Sequence, residues 1–389
     1  MSVPSFSDFL EAKPLYYKEI DHQRVHQAYA VLRETIAHPP NIHIVGTNGK
    51  GSTGRIIAHL AYRSGLGTGH FSSPHILKFN ERIWLNGRDS SDEKLEAAHQ
   101  RLYRILGQQM SEALSYFEYT TLLALIVFED LDLIILEAGL GGEYDATNVC
   151  DKILSVITPI GIDHQAFLGE TIEEIASTKI RSIRKQALLA PQVYSEVVEV
   201  AKRIALERRA ELLLSVERSA LSVKKRGELE QIVQEKGWGK YLIDNVMVAL
   251  QTLDILNIRY DINDLGSLEL FGRFYPLRHN IRIDVGHNPL AAKAIVEALD
   301  DEVVLIYNSL DDKDYEEVLR ILKPRVKRVE IIRIVSQRAA TLEQIEEALQ
   351  NAELQYHYFD GTINEEVNYL VFGSFYVVEA FLKKLKVKN

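Results

Sequence analysis

Cysteine is almost absent from this sequence: its 389 residues contain one, Cys150. One cysteine excludes an intramolecular disulfide, and a chain of this size without disulfides is typical of a reducing compartment, so we expect a cytoplasmic protein. Long apolar runs are also missing, and none approaches the roughly 20 residues that span a bilayer. The first residues lack a basic segment followed by an apolar one, which argues against a secretory signal peptide.

Positive charge is in short supply as well. Lysine and arginine number 45 against 55 aspartates and glutamates, which leaves a formal net charge of -10. This balance lacks the general electrostatic footprint of a protein that binds nucleic acid or an anionic membrane, so we expect neither partner. A local basic pocket remains compatible with it. Hydrophobic residues at 46% and charged residues at 26% are ordinary for a globular chain.

The length exceeds what one hydrophobic core normally serves, and the secondary-structure pattern also indicates two domains. Short β-rich runs at 41–45, 131–139 and 154–160 alternate with helical patterns, which predicts βαβ units and a parallel sheet. The segment from Leu265 to Asn280 has no helical period, and we interpret it as the interdomain linker region. Charged residues from about 193 to 234 are helical in character, with an ambiguous strand near 212–216.

The alternation resumes after this segment. Predicted strands lie at 281–285, 303–306, 329–334 and 355–359, and predicted helices at 289–299, 315–322, 342–350 and 374–385. The sequence therefore predicts an α/β protein with a P-loop-type first domain over residues 1–270, built on a mostly parallel sheet. A smaller Rossmann-like α/β domain is predicted over residues 271–389.

The strongest local signal is the glycine-rich turn GTNGKGS, from Gly46 to Ser52, between a predicted strand and a predicted helix. Turn amides and a helix N-terminus favour anions, so the turn is predicted to cradle phosphate. Lys50 can reach the terminal phosphates of a nucleotide, and Ser52 can hold the accompanying Mg²⁺. The strict P-loop pattern is not met, because Ile44 occupies the first glycine position and Gly51 separates Lys50 from Ser52. The alternative is an ordinary strand-to-helix turn with one exposed lysine.

Polar side chains also follow other apolar runs. Glu137 lies at the carboxyl end of a buried strand, where ligands of open α/β sheets bind. A buried carboxylate needs a partner, either a metal ion or a helix N-terminus. Ser73 and His164 occupy similar positions, although a lone histidine after a strand is more often a hydrogen-bonded structural residue.

One lysine stands in an apolar helical stripe. Thr171 and Glu174 predict a capping box that starts a helix near Ile172. At about 100° per residue, Ile172, Ala176 and Lys179 share a face. A buried ammonium group sheds its charge or finds a partner. The alternative is that the side chain of Lys179 snorkels to solvent.

Eight further segments follow in an order that is typical of one family. They are FSSPH (71–75), NERI (80–83), FEYTT (117–121), LEAGLGGEYDATN (136–148), ITPIGIDHQAFLG (157–169), GRF (272–274), DVGHNP (284–289) and GSFY (373–376). With GTNGKGS, they make the sequence resemble the folylpolyglutamate synthase/dihydrofolate synthase family of the Mur-ligase superfamily. The resemblance runs from about residue 10 to the C-terminus.

This resemblance implies an ATP-dependent ligase that joins L-glutamate to dihydropteroate or a reduced folate through an acyl phosphate. It implies two Mg²⁺ ions, with metal positions at Ser52, Ser73, Glu137, His164 and Lys179, and a carbamate on Lys179. The positions that match nucleotide contacts are Gly49, Lys50, Gly51, Ser52, Asn245, Arg273 and Asp284. The positions that match pteroate contacts are Phe117, Tyr144, Asp145 and Ala146. Lys50, Lys179 and His164 are the expected catalytic residues, and Glu143 stands where the family usually has arginine.

Two other functions remain open from the sequence. One is a Mur-type amide ligase that acts on a cell-wall precursor, and the other is a non-catalytic ATP-binding module. For Arg273 alone, a salt bridge in the linker is an equally good explanation. We expect small-molecule partners only and a monomeric protein.

Overall fold

Two largely parallel β-sheets organise the part of the chain that the computed structural model describes, which comprises residues 3–13, 21 and 23–385. The strands of the first sheet are β1 (Asn41–Val45), β2 (Thr68–Phe71), β3 (Ile83–Leu85), β4 (Arg88–Asp89), β5 (Leu133–Glu137), β6 (Leu154–Ile157), β7 (Gln186–Leu189) and β8 (Glu211–Leu214). The α-helices of this first part are α1 (Phe6–Glu11), α2 (Gln23–Leu32), α3 (Lys50–Arg63), α4 (Asp92–Ala113), α5 (Tyr116–Val127), α6 (Gln165–Leu168), α7 (Ile172–Ile180), α8 (Ser195–Arg208), α9 (Val223–Lys236) and α10 (Lys240–Ile255).

The first sheet has the strand order β4-β3-β2-β5-β1-β6-β7-β8. Six neighbouring strands of this sheet are parallel to one another: β2, β5, β1, β6, β7 and β8. β3 pairs antiparallel with β2, and β4 pairs antiparallel with β3 at the edge of the sheet. All five residues of β1 are buried, as expected for a central parallel strand covered on both faces. The predicted parallel sheet is confirmed. The sequence near 212–216, which indicates a strand only ambiguously, contributes to β8.

The second sheet has the order β13-β12-β11-β14-β10-β9, and only β9 runs antiparallel to its neighbour. Its strands are β9 (Tyr275–Arg278), β10 (Ile281–Ile283), β11 (Val303–Tyr307), β12 (Val326–Ile331), β13 (Tyr356–Tyr358) and β14 (Tyr369–Phe372). Its helices are α11 (Pro289–Ala298), α12 (Tyr315–Leu322), α13 (Leu342–Asn351) and α14 (Phe375–Lys384).

The segment interpreted as a linker, 265–280, is not a linker throughout. Its second half forms β9, the edge strand of the second sheet, which tolerates Pro276 because an edge strand has backbone amides that need not pair. A 3₁₀-helix, Ile262–Ser267, precedes it. The connection between the sheets is therefore shorter than the composition suggests.

Separate hydrophobic cores define two lobes. The core under α3 and α10 continues along the chain to Leu270, and we call the described residues up to this point the first lobe. The cores of the second sheet consist mainly of residues from Phe271 onwards, and we call the described residues from 271 onwards the second lobe. Ile76 and Leu77 of the first lobe also pack into one of these cores. The domain boundary predicted between 270 and 271 coincides with this change and stays a prediction.

Helices on both faces of the first sheet position the residues of interest. α3 begins directly after the glycine-rich turn and packs against α10. α7 begins at the predicted capping box: Thr171 Oγ1 accepts a hydrogen bond from the Glu174 amide, and the Glu174 carboxylate accepts one from the Thr171 amide. Both helices bring one end to the edge of the sheet where β1, β5 and β6 end.

Cys150 lies at the opposite edge of the sheet, shortly before β6. Its side chain is buried, and burial raises the pKa of its thiol to about 12. Among the described residues, no helix has both the length and the apolarity needed to cross a membrane.

Candidate active site

The glycine-rich turn connects β1 to α3 in a conformation that only glycine allows. Gly46 has a φ of 150°, and a Cβ atom there would lie 2.0 Å from Thr158 Oγ1 at the end of β6. Gly49 has a φ of 86° and directly precedes Lys50, the first residue of α3. The turn therefore fixes the N-terminus of α3, which favours anions, at the carboxyl edge of the sheet.

A cavity of about 960 Å³ lies beside this turn. First-lobe residues Gly51, Ser52, Ser73 and Glu137 line it, and Arg273 of the second lobe completes the wall. A volume of this size accommodates a nucleotide-sized ligand. Five residues that the sequence predicts to be functional thus border one cavity between the lobes.

Glu137 is the buried acid of this cavity. Burial raises the pKa of its carboxyl group, and the charges of Lys50 and Arg273 oppose that rise. Lys50 Nζ lies 3.9 Å from Glu137 Oε1. A Cβ atom on Gly51 would lie 3.3 Å from Glu137 Oε2 and 3.4 Å from Arg273 Nη2. Glycine at position 51 therefore lets a carboxylate and a guanidinium from different lobes approach the start of α3.

The hydroxyl groups of Ser52 and Ser73 and the carboxylate of Glu137 are the oxygen donors that Mg²⁺ prefers. A cation would also offset the cost of burying the Glu137 carboxylate. Among the described residues, no three His, Cys, Asp or Glu side chains are placed to hold a metal ion, so hydroxyl oxygens would have to complete the coordination. This donor set fits one magnesium ion.

Lys179 reaches the same turn from below. Its side chain is 3% exposed, and its Nζ donates a hydrogen bond of 3.0 Å to the carbonyl oxygen of Gly46. Burial, together with the charge of nearby Lys50, lowers the pKa of the Lys179 amine to about 7. The side chain does not snorkel to solvent, which removes that alternative. Two lysines therefore contact the turn: Lys50, at the N-terminus of α3, and Lys179, whose buried amine is partly neutral.

A network of charged side chains joins the lobes next to Lys179. Lys313 of the second lobe places its Nζ 2.7 Å from Asp163 Oδ1 and 3.5 Å from His164 Nε2. Burial alone would raise the pKa of Asp163, but a hydrogen bond from His287 and the charges of His287, His164 and Lys313 hold it well below its usual range. Asp163 is therefore a stable anion at the contact between the lobes.

His164 borders this network in a left-handed conformation, with a φ of 53°, directly before α6. Burial lowers the pKa of its imidazole to about 4, although Asp163 opposes the shift. The ring is therefore neutral at neutral pH, which is the form that binds a metal.

Two asparagines form a second contact between the lobes. Asn48 Nδ2 donates to Asn288 Oδ1 at 3.0 Å, and Asn288 Nδ2 donates to Asn48 Oδ1 at 2.9 Å. Asn288 Oδ1 also accepts from the Ala291 amide and caps α11. The sequence gives Asn288 and His287 no role, and the structure places both at the contact between the lobes.

The residues predicted on the nucleotide side lie around Gly49 and Arg273. Asn245 is buried in α10, and a Cβ atom on Gly49 would lie 2.7 Å from its Oδ1. Its Nδ2 has no hydrogen-bond partner in the described part of the chain. Asp284 accepts hydrogen bonds from Tyr241 and from the Phe274 and Gly286 amides. Burial raises its pKa, and the charge of Arg273 opposes that rise.

Arg273 has no carboxylate within 4.0 Å among the described residues, so it does not form the salt bridge considered as an alternative. Its guanidinium lies over the ring of Phe375, 5.3 Å from the ring centroid. The charge is thus available to the cavity rather than neutralised within the second lobe.

The residues predicted on the pteroate side surround the turn after β5. The Phe117 ring covers Gly139, where a Cβ atom would lie 2.6 Å from Phe117 Cζ. Tyr144 is 59% exposed, and Ala146 is buried. The Asp145 carboxylate accepts hydrogen bonds from the Leu140 and Thr147 amides, so it holds the shape of the turn.

Glu143, which stands where the family usually has arginine, lies in the same turn. It pairs with Arg208 at 3.4 Å and with Arg181 at 3.7 Å. Its negative charge therefore serves to fasten the turn to the ends of α7 and α8.

Comparison with known proteins decides the family. No protein-family model matches the chain. A dihydrofolate synthase/folylpolyglutamate synthase of Haemophilus influenzae is 30% identical over an alignment of 397 positions, gaps included, that covers 88% of each chain. The chain belongs to the dihydrofolate synthase/folylpolyglutamate synthase family.

Solved structures of this family superpose on the whole chain. Helicobacter pylori folylpolyglutamate synthetase is 39% identical, with a TM-score of 0.78 and coverage of 98% of both chains. E. coli FolC in complex with DHPP and ADP is 28% identical, with a TM-score of 0.82 over 97% of this chain and 96% of that one. The bifunctional Yersinia pestis enzyme, complexed with AMPPNP and a Mn ion, is 26% identical, with a TM-score of 0.84 over 99% and 100%.

As a member of this family, the chain is an ATP-dependent, amide-forming ligase that uses glutamate. Family membership decides against a Mur-type ligase for a cell-wall precursor. The expected α/β fold with two domains is that of the family's solved structures, and the family is the one that the motifs indicate.

The structure brings most of the predicted site residues together in two neighbouring groups. The group that lines the cavity contains Gly51, Ser52, Ser73, Glu137 and Arg273. The group at the turn contains Lys50, Lys179 and His164: the charge of Lys50 lowers the pKa of Lys179, and the charge of Lys179 lowers the pKa of His164. The sequence motifs include Asp163 but assign it no role, and they miss Lys313. An aspartate directly before a predicted metal ligand was the available signal.

Proposed function

We propose that the cavity between the lobes binds ATP, with the triphosphate on the 46–52 turn, and activates the carboxylate of a pteroate-type acid. The observation that carries this proposal is the convergence of Lys50, Glu137 and Arg273 at the start of α3. Two cations at a helix N-terminus suit the terminal phosphates, and the carboxylate between them suits a metal ion.

The nucleotide contacts follow from this placement. The amides of Gly49, Gly51 and Ser52 bind phosphate oxygens, and Lys50 and Arg273 neutralise the charge of the transferring group. Asn245, whose buried Nδ2 lacks a protein partner, contacts the adenine side. Asp284, at the edge of the second lobe, faces the ribose hydroxyls.

Two Mg²⁺ ions complete the site in this proposal. Ser52, Ser73 and Glu137 hold the first ion, and His164 with a carbamate on Lys179 holds the second. Mg²⁺ supplies charge neutralisation on the phosphates. The buried, partly neutral amine of Lys179 supports the carbamate, because its lone pair can bond to the carbon of CO₂ while one proton leaves.

The chemistry then proceeds in two steps. A carboxylate oxygen of the substrate attacks the γ-phosphorus, the bond to the β,γ-bridging oxygen breaks, and ADP leaves. The amine of glutamate attacks the carbonyl carbon of the acyl phosphate, loses a proton, and phosphate leaves from the tetrahedral intermediate. The chain contributes position and charge, and closure of the lobes keeps water from the acyl phosphate.

The acid acceptor binds beside the turn after β5. Phe117 and Tyr144 offer aromatic surface to a pterin ring, the buried Ala146 belongs to the apolar core beside them, and Asp145 fixes the shape of the turn. We propose that dihydropteroate, a reduced folate or both occupy this place. We further propose that the protein acts as a monomer in the cytoplasm, with small molecules as its only partners.

A substrate panel tests this proposal. Purified protein with Mg²⁺ and ATP is given dihydropteroate, tetrahydrofolate or a muramyl precursor, each with and without glutamate, and phosphate release is followed. We expect release that requires both glutamate and a pteroate-type acid, and the pattern between the first two acids separates the two activities.

Two outcomes would overturn the proposal. Release only with the muramyl precursor would transfer the activity to another Mur-type ligase. No release with any acid, while ADP still binds, would indicate a non-catalytic ATP-binding module.

A further inference from the structure

A second cavity of about 810 Å³ lies at the opposite edge of the first sheet, and we call it the basal pocket. It is lined by Asn41, the first residue of β1, and by Ile153, the residue before β6. The glycine-rich turn at 46–52, in contrast, follows the last residue of β1. The five residues of β1, at about 3.3 Å each, separate the two sites. The basal pocket is therefore distinct from the cavity between the lobes.

The charge of the basal pocket is opposite to that of the whole chain. Of the described residues, its wall contains a single acid, Asp151, and five lysines and arginines, which are Arg33, Lys152, Arg184, Lys185 and Arg208. The chain as a whole has a net charge of -10. A concentration of cations in one concave place is the usual mark of an anion site.

Protein carboxylates neutralise only part of this charge. Arg208 pairs with Glu143 at 3.4 Å, and Arg33 lies 3.9 Å from the exposed Glu34. Within the described part of the chain, Arg184 and Lys185 have no carboxylate within 4.0 Å. Arg184 also repels the ammonium group of Lys152. An anion in the pocket would relieve this repulsion.

Lys152 gives the pocket a buried amine, whose pKa burial and the charge of Arg184 lower to about 7. The side chain is 7% exposed, and its Nζ bonds to His43 Nδ1 at 3.0 Å, to the Ser182 carbonyl oxygen at 3.1 Å and to Asn148 Oδ1. Three segments therefore hold the amine in place, so its position is preorganised before a ligand arrives.

The wall also offers a hydrogen-bond acceptor. Asn41 is 1% exposed, and its Oδ1 has no hydrogen-bond partner among the residues that the structure describes. A buried carbonyl oxygen without a donor is costly, so a ligand that brings a hydroxyl group would satisfy it. Tyr29 and Ile153 provide apolar surface next to it.

We propose that the basal pocket binds a small phosphorylated molecule that also carries a hydroxyl group. Its phosphate bonds to the guanidinium of Arg184 and the amine of Lys185, and the amine of Lys152, which is bonded to the protein, adds positive charge behind them. Guanidinium and ammonium groups bind phosphate with charge-assisted hydrogen bonds, and the concave shape favours a small ligand over a macromolecule.

Isothermal titration with glycerol 3-phosphate tests the proposal. The protein is first saturated with ADP and Mg²⁺, so that the turn at 46–52 is not available, and the titration is done at low ionic strength. We expect one site per chain. Arg184→Glu combined with Lys185→Glu should weaken binding at least tenfold, because two charge-assisted contacts become repulsive.

A matched variant separates a specific site from general electrostatics. Lys293→Glu combined with Lys327→Glu changes the net charge equally at two exposed positions of the second lobe, and it should leave the affinity unchanged. All four substituted side chains are exposed, so both double variants should fold, which their unfolding midpoints check. No binding to the ADP-saturated wild type, or equal weakening in both variants, overturns the proposal.

Discussion

Four lysines are buried in the described part of the chain, and each meets the cost of burial differently. Lys13 donates to backbone carbonyls at the C-terminal end of α4, and Lys152 donates to an amide oxygen and a carbonyl oxygen. Lys313 faces the carboxylate of Asp163. Lys179 has one carbonyl oxygen as its hydrogen-bond acceptor. Its environment therefore favours the neutral amine, which suits a reactive group better than a structural one.

Replacing Lys179 by methionine tests this difference. Lys179→Met should keep or raise the free energy of unfolding, because the cost of burying an amine disappears while the apolar contacts remain. It should also abolish ligase turnover. Lys313→Met is the matched control: it leaves Asp163 buried without its closest cation and should cost about 3–5 kcal/mol. Urea unfolding and phosphate release measure both effects, and equal destabilisation of the two variants would contradict the argument.

At the scale of the element, α7 shows how a local signal positions a distant chemical group. The capping box at Thr171 and Glu174 starts the helix, and two turns later Lys179 points at the carbonyl oxygen of Gly46. α13 begins with an equivalent box, formed by Thr341 and Gln344, far from the cavity. The two helices therefore allow stability and function to be separated.

Thr171→Ala and Thr341→Ala should each lower the free energy of unfolding by about 1 kcal/mol, because each removes one cap. Only Thr171→Ala should also lower kcat, by roughly two- to fivefold, since fraying at the start of α7 loosens the helix that carries Lys179. Chemical unfolding and steady-state kinetics on both variants check this. An equal loss of kcat in the two would mean that the cap of α7 has no special connection with the site.

Helices and strands that have a strong local signal could be predicted from the sequence. Strands that depend on pairing with distant strands could not. The capping box predicts α7, and the apolar runs predict β1, β5 and β11. β14 lies at the centre of the second sheet, yet its four residues become a strand through pairing with β10 and β11. The site divides in the same way. The turn at 46–52 is visible locally, whereas the contact of Asp163 with Lys313 joins residues 150 positions apart.

At the scale of the whole molecule, the site exists only where the two lobes meet. Arg273 of the second lobe approaches Gly51 of the first, and the amide pair of Asn48 and Asn288 bridges the same boundary. Apolar groups also meet at this boundary, because Ile76 of the first lobe packs into a core of the second. The polar pairs can exchange their partners for water, which suits lobes that separate and close again during turnover.

Asn288→Ser should weaken this contact without harming the second lobe. Serine can still cap α11, but it is too short to bond to Asn48 across the boundary. We expect an unfolding free energy within about 0.5 kcal/mol of wild type and a roughly three- to tenfold lower kcat, the equivalent of about one or two lost hydrogen bonds. Small-angle scattering should give a larger radius of gyration. An unchanged radius together with unchanged kcat would show that the amide pair does not govern closure.

The burial of Cys150 has a practical consequence for watching these lobes move. The Cys150 thiol is buried and its pKa is raised, so it should react slowly with maleimide dyes. Cys150 therefore need not be replaced before other positions are labelled. Leu206 in the first lobe is 82% exposed and Val335 in the second is 96% exposed. Cysteines introduced at these two positions would carry a donor and an acceptor fluorophore, one on each lobe, and single-molecule energy transfer could then follow individual catalytic cycles.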